Sequence, residues 1–151
     1  MWGDKIYEYD LDVTSVTDFG VTMEAIASGE APLPAQGLRL DVAFTGRATG
    51  RVTGQVTGID HVWMRADGRV DLDVRAVLTT DDGARIALAA TGVSVAREDE
   101  PIADLRENIS LFTATEAYAW VTRHQIWGVG TMDFSTGRIH IDAYLQSGAA
   151  G

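Results

Sequence analysis

The sequence predicts an all-β chain folded as a single antiparallel barrel of about eight to ten strands. Three observations carry this. Hydrophobic side chains recur with a period of two along most of the chain, which is the period of a strand and not of a helix. Turn signals separate the alternating runs at hairpin spacing: Asp67-Gly68, Asp81-Asp82-Gly83 and Ser135-Thr136-Gly137. Glycines also recur inside the alternating runs, where they mark strong coiling or close backbone approach. Coiling of that kind favours a barrel over a flat sandwich.

Taken in order, Lys5–Val13 and Val21–Ser28 are expected as the first strands. Leu38, Leu40, Val42 and Phe44 then alternate with Arg39, Asp41 and Ala43. From 45 to 58 the alternation becomes extreme. Odd positions run Thr45, Arg47, Thr49, Arg51, Thr53, Gln55, Thr57, and even positions run Gly46, Ala48, Gly50, Val52, Gly54, Val56, Gly58. This is a curved strand pair with one threonine-rich face and one nearly bare face. No Gly-Lys-Ser/Thr follows it, so a phosphate loop does not fit.

Val70, Leu72, Val74, Ala76 and Leu78 form the next strand, with Asp71, Asp73 and Arg75 together on its other face. The alternation leaves open which face turns inward. Ala84–Val95 is apolar at both phases and is expected to be buried on both sides. Further strands are expected at Glu107–Thr113, Gln125–Phe134 and Arg138–Gln146. One short helix or ordered loop interrupts them near 115–122. With no linker in view, residues 1–151 are expected to form one domain, and 146–151 a frayed tail.

Composition narrows the function classes. Twenty-two acidic against twelve basic residues give a formal charge of −10 in 151 residues, which argues against nucleic-acid or anionic-membrane partners. Having no cysteine, the chain has no disulfide, thiolate metal site or Cys nucleophile. No apolar run reaches the ~20 residues of a membrane span, and the N-terminus lacks a signal-peptide pattern, so a cytoplasmic location is expected. The three histidines, His61, His124 and His140, lie in no metal-binding spacing, and no nucleophile elbow or dinucleotide-binding unit is present. No metal and no cofactor is therefore expected.

What remains is proton transfer, which needs only a dry pocket and one or two tuned acid–base groups. The candidates for acid or base are Asp60, His61, Asp73 and His124, with Arg75 to hold an enolate or carboxylate. Trp63, Tyr118, Trp120 and Trp127 are candidate pocket walls, although as core packing they need no function.

The ordered series Gly58-Ile59-Asp60, Arg65-Ala66-Asp67-Gly68, Leu72-Asp73-Val74-Arg75 and Thr80-Asp81-Asp82-Gly83-Ala84-Arg85-Ile86 resembles the DUF3237 (UPF0311) family. Tyr118-Ala119-Trp120 followed by Gly128-Val129-Gly130 extends the resemblance over about residues 38–146. It implies a small, closed or nearly closed antiparallel β-barrel and no settled activity. By position, Asp60, Asp73, Arg75 and Asp82 match recurring polar residues of the family, and Tyr118 and Trp120 recurring aromatics. Val121-Thr122 stands where the family often has Leu-Asn.

Two functions are expected from these residues, beside a purely structural subunit with a filled barrel. One is a cofactor-independent isomerase, cyclase, hydratase or lyase acting on a small, largely apolar organic molecule, with Asp82 among its binding residues. The other is a non-catalytic carrier of such a molecule. A homodimer is possible for either.

Overall fold

The computed structural model describes residues 2–147. Eight antiparallel strands close into a barrel in which each strand pairs with its neighbours in sequence and β8 returns to β1. The strands are β1 (Asp4–Asp18), β2 (Leu38–Gly50), β3 (Gly54–Met64), β4 (Val70–Thr80), β5 (Arg85–Ala96), β6 (Ile102–Phe112), β7 (Gln125–Asp133) and β8 (Arg138–Gln146). A single-turn helix, α1 (Met23–Ser28), lies in the β1–β2 connection, and a 3-10 helix spans Glu116–Arg123 between β6 and β7. Among the described residues, no helix is long and apolar enough to cross a membrane.

Closure decides the face that alternation left open. Phe44, Ala48, Val56, Leu72, Val74 and Leu78 are buried, so the bare, glycine-bearing face of β2 and β3 turns inward and the threonine face outward. Gly46 shows why that face is bare: a Cβ there would run into the Asp10 carbonyl of β1. Small residues let neighbouring strands coil tightly enough to close the sheet on itself. The expected turns form as well. In the β4–β5 hairpin Gly83 takes a φ of +96° and donates its N–H to the Thr80 carbonyl at 2.9 Å.

Three expectations are corrected. Val21–Ser28 is not a strand. The Thr22 hydroxyl accepts the Ala25 N–H at 3.1 Å and Gly29 ends the turn at φ +81°, so α1 forms instead, capped at both ends. The β1 strand runs on to Asp18 to pair with the start of β2. The β5 strand is not buried on both faces: Ile86, Leu88 and Ala90 point in, while Ala87 and Thr91 are exposed. Alanine on the outer face had mimicked a buried run. The expected tail at 146–151 lies mostly outside the described residues.

The barrel ends differ. One is formed by the β2–β3, β4–β5 and β6–β7 connections, and its inward residues Ile6, Val52, Val56, Leu78, Ile86 and Ile126 are fully buried. The 3-10 helix closes it with Val121, also fully buried. Trp120 packs against the core there beneath the Arg51 guanidinium, 4.2 Å from the ring centroid. At the opposite end the inward residues Val42, Val62, Met64, Val70, Met132 and Ile139 are only partly buried, while Leu38, Leu40 and Ala103 beside them are buried. Val16, in register with inward-facing Val42, is 55% exposed. None of the residues of α1, which lies at this end, is buried. This end is a mouth with apolar walls.

Candidate active site

Below the mouth the inward register carries two carboxyl groups, Asp60 on β3 and Glu107 on β6. Each stands where an apolar residue would be expected. Asp60 takes its place in the series Val56, Gly58, Asp60, Val62, Met64, and Glu107 in Ala103, Leu105, Glu107, Ile109, Leu111.

Asp60 is half-buried. The β3–β4 ladder pairs it with Val74 and resumes at Trp63 with Asp71, skipping His61 and Val62. In that gap the Asp73 N–H donates to Asp60 Oδ1 at 3.0 Å. The bond holds the carboxylate in place. Burial pushes the Asp60 pKa up to about 6; the Asp73 N–H opposes the rise, and the neighbouring Asp73 charge adds to it.

Glu107 is only 7% exposed. Its ladder partners on either side are Gly92 on β5 and Gly128 on β7, so neither ladder neighbour places a side chain beside it. A Cβ on Gly128 would sit 3.2 Å from Glu107 Oε1. That oxygen is shut from solvent and has no hydrogen-bond partner, and the same is true of the Tyr7 hydroxyl on β1. Burial, and secondarily the Asp60 charge, push the Glu107 pKa up to about 8. Tyr7 and Tyr9 stack at 5.6 Å between ring centroids, and burial raises both phenols far above their ordinary value. At neutral pH Asp60 is therefore mainly a carboxylate and Glu107 mainly a neutral acid.

Of the candidates read from sequence, only Asp60 faces the lumen. His61, Asp73 and Arg75 lie on the outer wall, because strand alternation turns the residues beside an inward one outward. His61 Nδ1 is bonded to Asp41 at 2.9 Å, and Arg75 to Asp73 at 2.9 Å. Arg75 therefore does not meet Asp60 across the lumen. Trp63 is 46% exposed in an outer groove of about 500 Å³, shared with Arg39 and Arg65. Trp127 is 42% exposed and lines a second groove of about 230 Å³ with Trp2, one that Glu107 and Gly128 also line. His124, Tyr118, Trp120 and Asp82 belong to the closed end. There His124 Nδ1 bonds the Trp120 carbonyl at 2.8 Å and the Tyr118 hydroxyl donates to Asp82 at 3.0 Å.

Sequence reasoning missed Glu107, Tyr7 and Gly128. The signal for Glu107 was present: a lone acid in phase with Leu105, Ile109 and Leu111. It goes unread when the strand is begun at Glu107 rather than at Ile102.

One cluster on the outer wall has the makings of a cation site: ligand atoms of Glu8, His140 and Asp142 lie within 4.8 Å of one another. Positive charge already serves it. Lys5 Nζ lies 2.6 Å from Glu8 and 3.2 Å from Asp142, and the two His140 nitrogens bond Asp10 at 2.8 Å and Asp142 at 2.9 Å. Burial works against the His140 charge, but the two carboxylates outweigh it and raise the pKa.

The barrel is thus closed and eight-stranded, with two inward carboxyls of unequal pKa below its more open end. The chain belongs to DUF3237, a family of proteins of unknown function, whose model matches residues 12–145. A protein of unknown function from Clostridium acetobutylicum has a similar structure, at 19% identity over 95% of this chain and 97% of that one, with a TM-score of 0.79. A β-barrel-like protein from Acinetobacter baumannii is similar at 20% identity over 94% and 93%, with a TM-score of 0.75. An enzyme from Penicillium herquei is similar at 15% identity over 95% and 92%, with a TM-score of 0.67. At these identities the likeness is one of fold. No curated protein matches the chain in sequence.

Proposed function

We propose that the chain is a cofactor-independent acid–base enzyme of isomerase, cyclase, hydratase or lyase type, acting on a small, largely apolar organic molecule held in the barrel mouth. The observation that carries this is the pair of inward carboxyls whose environments drive their pKa values apart, to about 6 and about 8. Such divergence separates a base from an acid at one pH. Asp60, nearer the mouth and ionised, accepts a proton from the substrate. Glu107, deeper and protonated, delivers one to an oxygen or carbon on which negative charge develops. One proton is taken and one given, so the pair ends with its protons exchanged and resets through solvent or in the reverse step. That a barrel of this fold from Penicillium herquei is an enzyme is consistent with the proposal.

The alternative is a non-catalytic carrier, favoured by the solvent-shut Glu107 Oε1, which a bound ligand need not touch. A homodimer of either kind would form through outer faces or loops, since a closed barrel has no free strand edge.

The test is exchange of carbon-bound protons for deuterium in 2-acetylnaphthalene and other small ketones, followed by NMR in heavy water. The enzyme should accelerate exchange over buffer, and Asp60→Asn should abolish the acceleration. Native mass spectrometry of the same samples reports any bound ligand. A ligand retained with no acceleration on any ketone would favour the carrier.

A further inference from the structure

We propose that the barrel mouth selects an uncharged ligand, a mostly apolar compound whose polar handle is a carbonyl or hydroxyl oxygen, and that it rejects organic anions. This rests on the proposed acid–base site and specifies what that site accepts.

Charge is divided by strand face. Among the described residues of β1 to β8, no lysine, arginine or histidine occupies an inward position. The inward polar groups are Tyr7, Tyr9, Asp60, Thr80, Ser94 and Glu107, with exposed Asp18, in register with inward-facing Leu40, at the lip. None of them can carry a positive charge. The arginines around the mouth lie outside and are already engaged by carboxylates: Arg39 with Asp41, Arg65 with Asp67, Arg69 with Asp71, Arg97 with Asp104, and Arg138 with Asp12. An anion entering the mouth meets the Asp60 charge between apolar walls with no inward cation to offset it. Two like charges about 6 Å apart at an effective dielectric near 20 repel by enough to weaken binding by up to about 100-fold, and water at the mouth reduces this to roughly tenfold or more. A neutral oxygen meets no such penalty and can accept a hydrogen bond from the protonated Glu107 carboxyl.

The test compares two probes of the same shape, 2-acetylnaphthalene and 2-naphthoate, titrated against the full chain at pH 7.5 and low salt, with binding read from ligand fluorescence. In the wild type the ketone should bind at least about tenfold tighter than the carboxylate. Asp60→Asn, checked for folding by circular dichroism, should shrink that gap to within about threefold. Asp60→Glu, which keeps the charge, should preserve it.

Equal binding of the two probes, a gap unchanged in Asp60→Asn, or no binding of the ketone at its solubility limit would each overturn the proposal. The readout is binding, so it separates from the enzyme question. A selective mouth without proton exchange describes a carrier of neutral ligands. Exchange without selectivity leaves the enzyme standing and removes this inference.

Discussion

Replacing Glu107 with glutamine tests the central feature of the barrel, a carboxyl held in its interior. In the folded chain the Glu107 pKa is raised from 4.5 to about 8. The folded state therefore holds a proton that the unfolded state releases above about pH 4.5, and stability must fall as pH rises through that window. At 1.36 kcal/mol per unit, the full loss is on the order of 4–5 kcal/mol, reached only above about pH 8. Between pH 4.5 and pH 7 it amounts to about 3 kcal/mol. Asp60 adds a loss of the same sign over a lower window, from 3.8 to about 6. Glutamine has nearly the shape of the neutral acid and does not ionise. The stability of Glu107→Gln relative to wild type should therefore rise by about 3 kcal/mol from pH 4.5 to pH 7. Urea unfolding followed by tryptophan fluorescence at pH 4.5, 7 and 9 would show it. With a slope of about 2 kcal/mol per molar, the midpoints of the two proteins should move apart by about 1–2 M urea across that range. Parallel stability curves would refute the reasoning, because Glu107 would then be ionising in the fold as freely as in the unfolded chain.

Four further outcomes are expected. Any proton-transfer rate should follow a bell in pH, rising as Asp60 ionises near 6 and falling as Glu107 ionises near 8, with both limits belonging to the coupled pair. Asp60→Asn should lower that rate by about 100-fold or more at pH 7, measured by deuterium exchange, with the fold intact. Gly128→Ala should cost about 1–3 kcal/mol in thermal or urea unfolding. Its Cβ would lie 2.8 Å from Ile109 Cδ1 and 3.2 Å from Glu107 Oε1, and the side chains around it must give way. Arg75→Ala should change proton exchange by less than about threefold, since its guanidinium is spent on Asp73 at the outer wall and is worth little there.

The β4 and β8 strands show how much of this molecule is local. Alternation between Val70 and Leu78, bounded by Asp67-Gly68 and Asp81-Asp82-Gly83, is enough to place β4 at Val70–Thr80, and β8 is found as expected at Arg138–Gln146. The barrel class follows from such runs together with the glycines of 46–58, since only a coiled sheet has a use for them. The helix at Met23–Ser28 was harder to see, because a six-residue segment is too short to display a helical period and depends on its two caps.

The site divides in the same way. The strand period determines that Asp71, Asp73 and Arg75 share one face and that Asp60 is out of phase with His61 and Trp63. It does not determine which face is inside, because a threonine-rich face can be solvated or line a water-filled lumen equally well. Closure of β8 onto β1 decided that, and with it the removal of Arg75, Asp73 and His61 to the outer wall. The placement of Asp60 and Glu107 in one lumen is also tertiary, since they stand on strands three apart in the barrel and no spacing in the chain relates them. Their pKa values belong to the same level. A carboxyl has its ordinary acidity in the open chain and acquires a raised one only when the closed sheet takes it out of water and sets another charge nearby.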